Sequence, residues 1–510
     1  MRIASISSPL LLVLIGAIAS ACSMSRYPLP SDAGLGGAAA GGTSATVGGS
    51  DAGGSAAGGS SSGGNTAATG GAPLLPPTCD SKTAQATGSD AGAPWQPNWD
   101  WVGVIGTGQS LSVGTGPITS TKQPYGNLKL SLGGVAVPPW DASSPKFSMV
   151  PLVEPIRSLA TGYPAPYPGN IGGETPHSAM ANEVSFLVDC ETPGRNYVTA
   201  HTVVGESGQG MVALKKQTGA TTGDTGRAYA ATLFEAETIT QLAKDAGKTY
   251  GIGVIIMTHG ETDSGSSTYK NELIQLLKDY NTDLATITGQ TQRIPMYLSQ
   301  QHAYPNGAGS MGSRPVANIT QWQLGVDHKG DFVCVGPQYQ YEANTNNDGV
   351  HLSALGYQML GEKNAEVYYE RAVLGFDWQP LQPTTVSRSG RAVTVNFNVP
   401  VPPLVWNDTF DAPLVPEWVN GRGFELRTAA ARVSIESVAI VGNSVIITAG
   451  TDLPTSGLIV GYALSSQGAQ MKQASKAVRW GQLQDSDPFV GSTSKRANPN
   501  YAVSFELPVP

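Results

Sequence analysis

Charge is scarce in this sequence. Only 13% of its 510 residues are Asp, Glu, Lys or Arg, and the acidic ones outnumber the basic by 38 to 30. No basic block or basic helical stripe occurs, which argues against nucleic acid as a partner. Cysteine is scarce too, with Cys22, Cys79, Cys190 and Cys334 the whole complement. None stands at a zinc-site spacing to a histidine, so no metal and no cofactor is expected. No apolar run is long enough for a membrane-spanning helix. What the chain has instead is 63 glycines, 36 prolines and a hydrophobic content of 40%. That content supports a sizeable core, and the length exceeds one ordinary domain.

Residues 1–22 read as a targeting segment. Arg2 is a minimal positive region, Pro9–Ile18 is apolar, and small residues lead into Ala19-Ser20-Ala21-Cys22. The pattern resembles the lipobox of bacterial lipoproteins, which implies lipidation at Cys22 and export to the cell envelope. Ala19 stands where that family carries Leu or Val, and cleavage near Ala21 with secretion is the other outcome. Residues 23–90 read as a linker. From Ser31 to Ala72 the composition collapses to Gly, Ala, Ser and Thr, too little apolar surface to offset the entropy of ordering. A coil of this length reaches roughly 35 Å. Export permits a disulfide, but three cysteines remain beside Cys22 and their pairing stays open.

Residues 91–378 alternate two periods. Trp101–Thr107, Tyr197–Gly205, Gly251–Thr258, Ile294–Leu298 and Asp331–Val335 are near-continuous apolar runs. Helical patterns lie between them at Thr175–Leu187, Gly226–Ala246, Ser267–Leu284 and Val316–Leu324, and the last covers Ser353–Ala372. Buried strands alternating with helices predict a parallel sheet covered on both faces, a three-layer α/β/α domain. A loop-rich insertion fills the stretch up to Gly173. From 379 to 510 the period becomes two: Val393, Val395, Phe397 and Val399 alternate with polar residues, and Gly442-Asn443 marks a hairpin. This predicts a β-sandwich-like domain. Its segment Trp480–Asp487 reads as a turn, or as a polar contact loop.

Two stretches carry chemistry. Gly106-Thr107-Gly108-Gln109-Ser110-Leu111-Ser112 follows the first apolar run, and a strand breaking into a Gly-rich turn places a serine at the carboxyl end of a sheet. Asp348-Gly-Val-His351 then supplies a carboxylate and an imidazole just before the last helix. A serine hydroxyl needs an adjacent base, and that base needs an orienting partner. The serine lacks the final glycine of Gly-x-Ser-x-Gly, which disfavours an α/β-hydrolase.

With Gly260-Glu261-Thr262-Asp263 after the third strand, these blocks resemble the SGNH (GDSL-like) hydrolases over roughly residues 98–375. The nearest branch is that of sialate O-acetylesterases and related carbohydrate acetylesterases. The resemblance implies a flavodoxin-like hydrolase domain with Ser110 as nucleophile, His351 as base and Asp348 as its partner; Asp263, in another loop at the carboxyl end of the sheet, is the rival candidate to orient His351. It implies an oxyanion hole from the Ser110 N–H and a glycine N–H, Gly208 before Gly205. A third donor falls at Thr262, where the family often has Asn, with the Gly260 backbone or His259 as substitutes. Gln109, His259 and Glu261 would face substrate, although Glu261 and Asp263 are equally suited to cap the helix that follows. The expected substrate is an acylated carbohydrate, most readily acetylated, at the cell surface. Esters of lipids, polyesters or aryl alcohols on the same machinery are the first alternative, and a non-catalytic glycan-binding lipoprotein is the second.

Overall fold

Val102 and Val104 face one side of the first strand and Ile105 the other, and the two sides feed separate cores. This strand, β1 (Trp101–Gly108), is the centre of a seven-stranded sheet. The computed structural model describes residues 74–79, 97–135, 137, 141–156, 173–217, 226–302, 316–341, 350–409, 420–464 and 479–510. Cys22 and its leader lie outside the described residues.

After β1 come α1 (Ser110–Val113), β2 (Leu128–Ser131), β3 (Ser148–Pro151), α2 (Pro176–Glu191), β4 (Val198–Val203), α3 (Met211–Leu214) and α4 (Arg227–Asp245). There follow β5 (Tyr250–Thr258), α5 (Tyr269–Thr288), β6 (Met296–Gln300), α6 (Val316–Asp327), β7 (Phe332–Pro337) and α7 (Ala354–Tyr368). α7 runs on as a wider π turn, Tyr369–Leu374. The sheet order is β3-β2-β4-β1-β5-β6-β7, with every pair parallel except β2–β3. From β1 the chain first builds to the β4 side and then returns to the β5 side. The carboxyl end of β1 is therefore the point where the winding reverses, and such sheets open a crevice there.

Both faces are covered, as the unbroken apolar strands predict. Helices α4, α5 and α6 pack with Ile105, Ile255, Met257 and Leu298 on one face. On the other, α2 and α7 pack with Val102, Val104, Val254, Ile256 and Val333. Helix α5 shows why the sequence was readable. Leu273, Leu276, Leu277, Tyr280 and Leu284 recur at helical spacing and are all buried, each leucine worth roughly 1.5–3 kcal/mol. Gly289 ends the helix in the left-handed region at φ 72°.

The insertion, expected to be loops, contains the antiparallel pair β2–β3 at the sheet edge. Four-residue edge strands exposed on one side carry too few alternations to stand out. The cysteines resolve into a Cys79–Cys190 disulfide and a buried free Cys334.

From 382 to 508 every named element among the described residues is a strand. They are β8 (Gln382–Ser389), β9 (Ala392–Asn398), β10 (Val405–Trp406), β11 (Phe424–Arg427), β12 (Arg432–Val433) and β13 (Ile435–Val441). Then come β14 (Ser444–Ala449), β15 (Ile459–Tyr462), β16 (Leu483–Gln484) and β17 (Phe505–Pro508). Two four-stranded antiparallel sheets, β13-β14-β9-β8 and β12-β11-β15-β17, bury Val395, Ile447, Leu426, Val460 and Phe505 between them. Gly442-Asn443 makes the β13–β14 turn, as its sequence predicts. The shared core extends to Trp322, Cys334 and Tyr339 of the first region. Ser504 and Gln300 exchange two hydrogen bonds across the boundary, at 2.7 and 2.8 Å.

Segment Trp480–Asp487 is not a contact loop. Trp480 and Asp485 are wholly buried, and Asp485 accepts from the backbone N–H groups of Val401, Asp487 and Asn500. Its polar residues are there to satisfy an interior turn.

Candidate active site

Ser110 opens α1 at the end of β1, and its placement depends on Gly108. That glycine sits at φ 141° against β5, where a Cβ would lie 2.0 Å from the Thr258 carbonyl oxygen. No other residue fits so close an approach in that backbone conformation. The neighbouring Gln109 N–H donates to the same carbonyl at 3.2 Å, so the turn is fastened to β5 just before the serine. Gly205, one strand away, is equally confined, since its Cβ would meet the Gly108 carbonyl at 2.4 Å.

His351 reaches the serine from the far end of the region. Its Nε2 lies 2.7 Å from Ser110 Oγ. The cap of α7 fixes the approach: Ser353 Oγ accepts from the Gly356 N–H at 3.0 Å, and His351 stands two residues ahead of it. Ser110 is 5% exposed and His351 half-buried, so the pair is sheltered yet reachable. Asp348 lies outside the described residues.

Residues 205–210, which hold the two candidate oxyanion glycines and are the second block along the chain, form a turn after β4, and residues 260–263 are the third block. Gln209 N–H donates to the Glu206 carbonyl at 3.2 Å, and Gly208 adopts φ 72° at its exposed corner. Glu206 is anchored by an ion pair with Arg227 of α4. The third block meets it. Thr262 Oγ1 donates to the Gly208 carbonyl at 3.3 Å, and Thr262 N–H donates to Gln109 Oε1 at 3.4 Å. Gln109, Gly208 and Thr262 thus belong to one hydrogen-bonded rim beside Ser110. In this geometry the Thr262 hydroxyl is already committed to Gly208.

His259 is wholly buried. Its Nδ1 contacts the Tyr269 hydroxyl at 3.2 Å and its Nε2 the Gln209 carbonyl at 3.1 Å. Burial holds its pKa below the usual imidazole value, against the pull of Gln209 and Asp263. It ties the third block to the second rather than facing outward. Gly260 follows at φ 127°, packed on Gln321 and Gln301.

Asp263 had two possible tasks by sequence, capping α5 or orienting the histidine. The structure gives it a different one. Its Oδ2 accepts from the Met211 N–H at 2.7 Å, at the start of α3. Only the tertiary fold brings Met211 within reach, so no local signal announces this partner. Glu261 is also not a cap of α5, because both its carboxylate oxygens are buried without a hydrogen bond.

His177 and His201 form a buried pair, Nδ1 to Nδ1 at 3.1 Å, beneath Gly106. Burial pushes His177 down to about 3.

No protein-family profile and no curated protein matches the sequence. Among solved structures, a carbohydrate acetylesterase from Xanthomonas citri aligns over 80% of each chain at 10% identity and a TM-score of 0.49. A protein from Arabidopsis thaliana aligns over 54% of this chain and 98% of its own, at 18% identity and a TM-score of 0.36. The structure of NanS aligns over 55% and 98%, at 12% identity and a TM-score of 0.35. At such identities the chemistry of this chain rests on its own residues.

Proposed function

We propose that this chain is a serine esterase of the SGNH type that removes a short acyl group, acetyl first of all, from a carbohydrate. The 2.7 Å contact between Ser110 Oγ and His351 Nε2, at the point where the sheet reverses its winding, is the observation that carries the reading. His351 takes the Oγ proton as Oγ adds to the ester carbonyl. The tetrahedral intermediate collapses, and His351 gives the proton to the departing sugar oxygen. Water then repeats the sequence on the acyl-serine, releasing carboxylate and freeing Ser110. Asp348 holds the imidazole tautomer and stabilises the imidazolium. The Ser110 N–H is the first residue of α1, with no helical carbonyl to bond, and suits the oxyanion. Gly208 is the second donor.

The acetyl-carbohydrate preference rests on the resemblance of the three blocks. Attachment to the cell envelope through a lipid on Cys22 rests on the leader sequence. A fluorophosphonate that labels wild type and spares Ser110→Ala tests the mechanism. Nitrophenyl esters of increasing acyl length, beside acetylated glycans, test the substrate. Acetyl should give the highest kcat/KM, and a maximum at octanoyl would replace the sugar ester by a lipid ester. No labelling of folded wild type would remove the enzyme altogether.

A further inference from the structure

Leu111 follows the serine and Leu352 follows the histidine, and both belong to one small buried cluster that also holds Tyr357. Tyr357 stands in the first turn of α7 and is wholly buried. Its hydroxyl shares a hydrogen bond of 3.0 Å with Thr115 Oγ1. Thr115 lies just past α1, the short helix that Ser110 opens. A buried tyrosine hydroxyl needs a polar partner, so the bond fixes the ring and ties the serine's helix to the histidine's. The next residue of α7 adds a second tie, Gln358 Nε2 donating to Thr119 Oγ1 at 2.9 Å.

Thr115 is itself clamped. Its backbone bridges Glu174, and a Cβ on Gly173 would lie 2.5 Å from the Thr115 Cα. Two residues after Glu174, Pro176 opens α2, and its carbonyl oxygen would stand 2.0 Å from a Cβ on Gly361 of α7. The contacts therefore close a ring: the end of α1 to residues 173–174, these to α2, α2 to α7, and α7 back to Thr115. A tie inside such a ring cannot lengthen without moving a backbone that is already in close contact.

Resting on the esterase reading, we propose that Tyr357 is a positioning residue: by bonding Thr115, its hydroxyl holds α1 at the distance from α7 at which Ser110 Oγ meets His351 Nε2. That contact is 2.7 Å, and proton transfer from Ser110 depends on it. A shift of about 1 Å at such a contact can cost ~10²-fold in rate. Gly108 fastens the serine's turn to β5, and Ser353 caps the histidine's helix, but each acts on one partner alone. The Tyr357–Thr115 bond acts between the two.

Labelling of Ser110 by a fluorophosphonate needs no sugar and so reads the serine–histidine pair alone. In the full chain, Tyr357→Phe keeps the ring and should slow labelling about tenfold, with kcat/KM for an acetyl ester falling by the same factor. Thr115→Val should do the same. The double variant should lose no more than either single one, because both remove one bond. The pH at which labelling rises should stay where it is, since distance changes and the charge around His351 does not. Melting curves confirm that each variant is folded. Unaltered labelling in folded Tyr357→Phe, a displaced pH midpoint, or losses that multiply in the double variant overturn the proposal. Wild type that labels no faster than the variants leaves the esterase reading standing without the brace. Folded wild type that never labels removes the esterase reading, and the brace with it.

Discussion

Gly108 and Thr258 face each other across the β1–β5 seam so closely that a Cβ on Gly108 would sit 2.0 Å from the Thr258 carbonyl oxygen. The same carbonyl holds Gln109, so one contact sets both the turn and the serine that follows. Gly108→Ala must strain a backbone at φ 141° and push β5 away, costing roughly 3 kcal/mol or more. Gly116→Ala is the control: it too has a positive φ, 77°, but open space around it, and should cost about 1 kcal/mol. Denaturant melts of both variants decide; equal losses would mean that the β1–β5 approach does not matter.

Asp348 and Asp263 separate cleanly by mutation. Asp348→Asn should leave the melting curve intact and cut kcat by up to ~10⁴, as loss of the correct tautomer does. Asp263→Asn should chiefly loosen α3, because its carboxylate accepts from Met211, and cost activity far less. A collapse of kcat at Asp263 with near-normal turnover at Asp348 would reassign the partner of His351.

The Cys79–Cys190 bridge closes a loop of 111 residues. Cys79→Ser should lower stability by roughly 2–4 kcal/mol. Neither cysteine is among the residues placed around Ser110, so kcat near 25 °C should hold. Cys334 is buried and its thiol is pushed up to about 12, so thiol reagents should leave it unmodified until the protein unfolds. Melting curves with and without reductant, and thiol counts in native buffer, check both statements.

Glu183 of α2 and Glu362 of α7 receive the backbone of residues 492–494. Ser492 N–H donates to Glu183 at 2.6 Å, and Thr493 and Ser494 N–H donate to Glu362 at 2.8 and 2.6 Å. Burial, then the neighbouring Glu362, raises Glu183 from 4.5 to about 8. A carboxyl with a raised folded pKa binds more protons when folded than when unfolded. Stability therefore falls as pH rises from about 4.5 to about 8 on account of this group. Glu183→Gln should flatten that slope, and melting temperatures between pH 5 and pH 8 measure it. A steeper slope in the variant would contradict the assignment.

Cys22→Ser, expressed in a bacterium that processes lipoproteins, should move the protein from the membrane to the soluble fraction. Equal membrane retention of the variant would rule out a lipid on Cys22.

Much of the fold is local and was therefore legible. The leucines of α5 mark one helical face, Val393, Val395 and Phe397 mark one face of β9, and Gly442-Asn443 closes its hairpin. Each is decided by the burial or backbone freedom of a few adjacent residues, and neighbours in sequence carry that information. The serine at the end of β1 and the histidine before α7 were legible for the same reason, since each stands at a strand or helix terminus. Which groups meet is a different matter. Ser110 and His351 are 241 residues apart. Asp263 finds Met211, Cys79 finds Cys190, and Trp480 and Asp485 go inside, because other segments arrive to cover or bond them. A loop carboxylate is equally content with any donor that reaches it, so its partner is set by the approach of distant backbone. The sequence by itself determined the elements and the types of residue at their ends; the packing of α2, α7 and the C-terminal sheets decided which of those residues face one another.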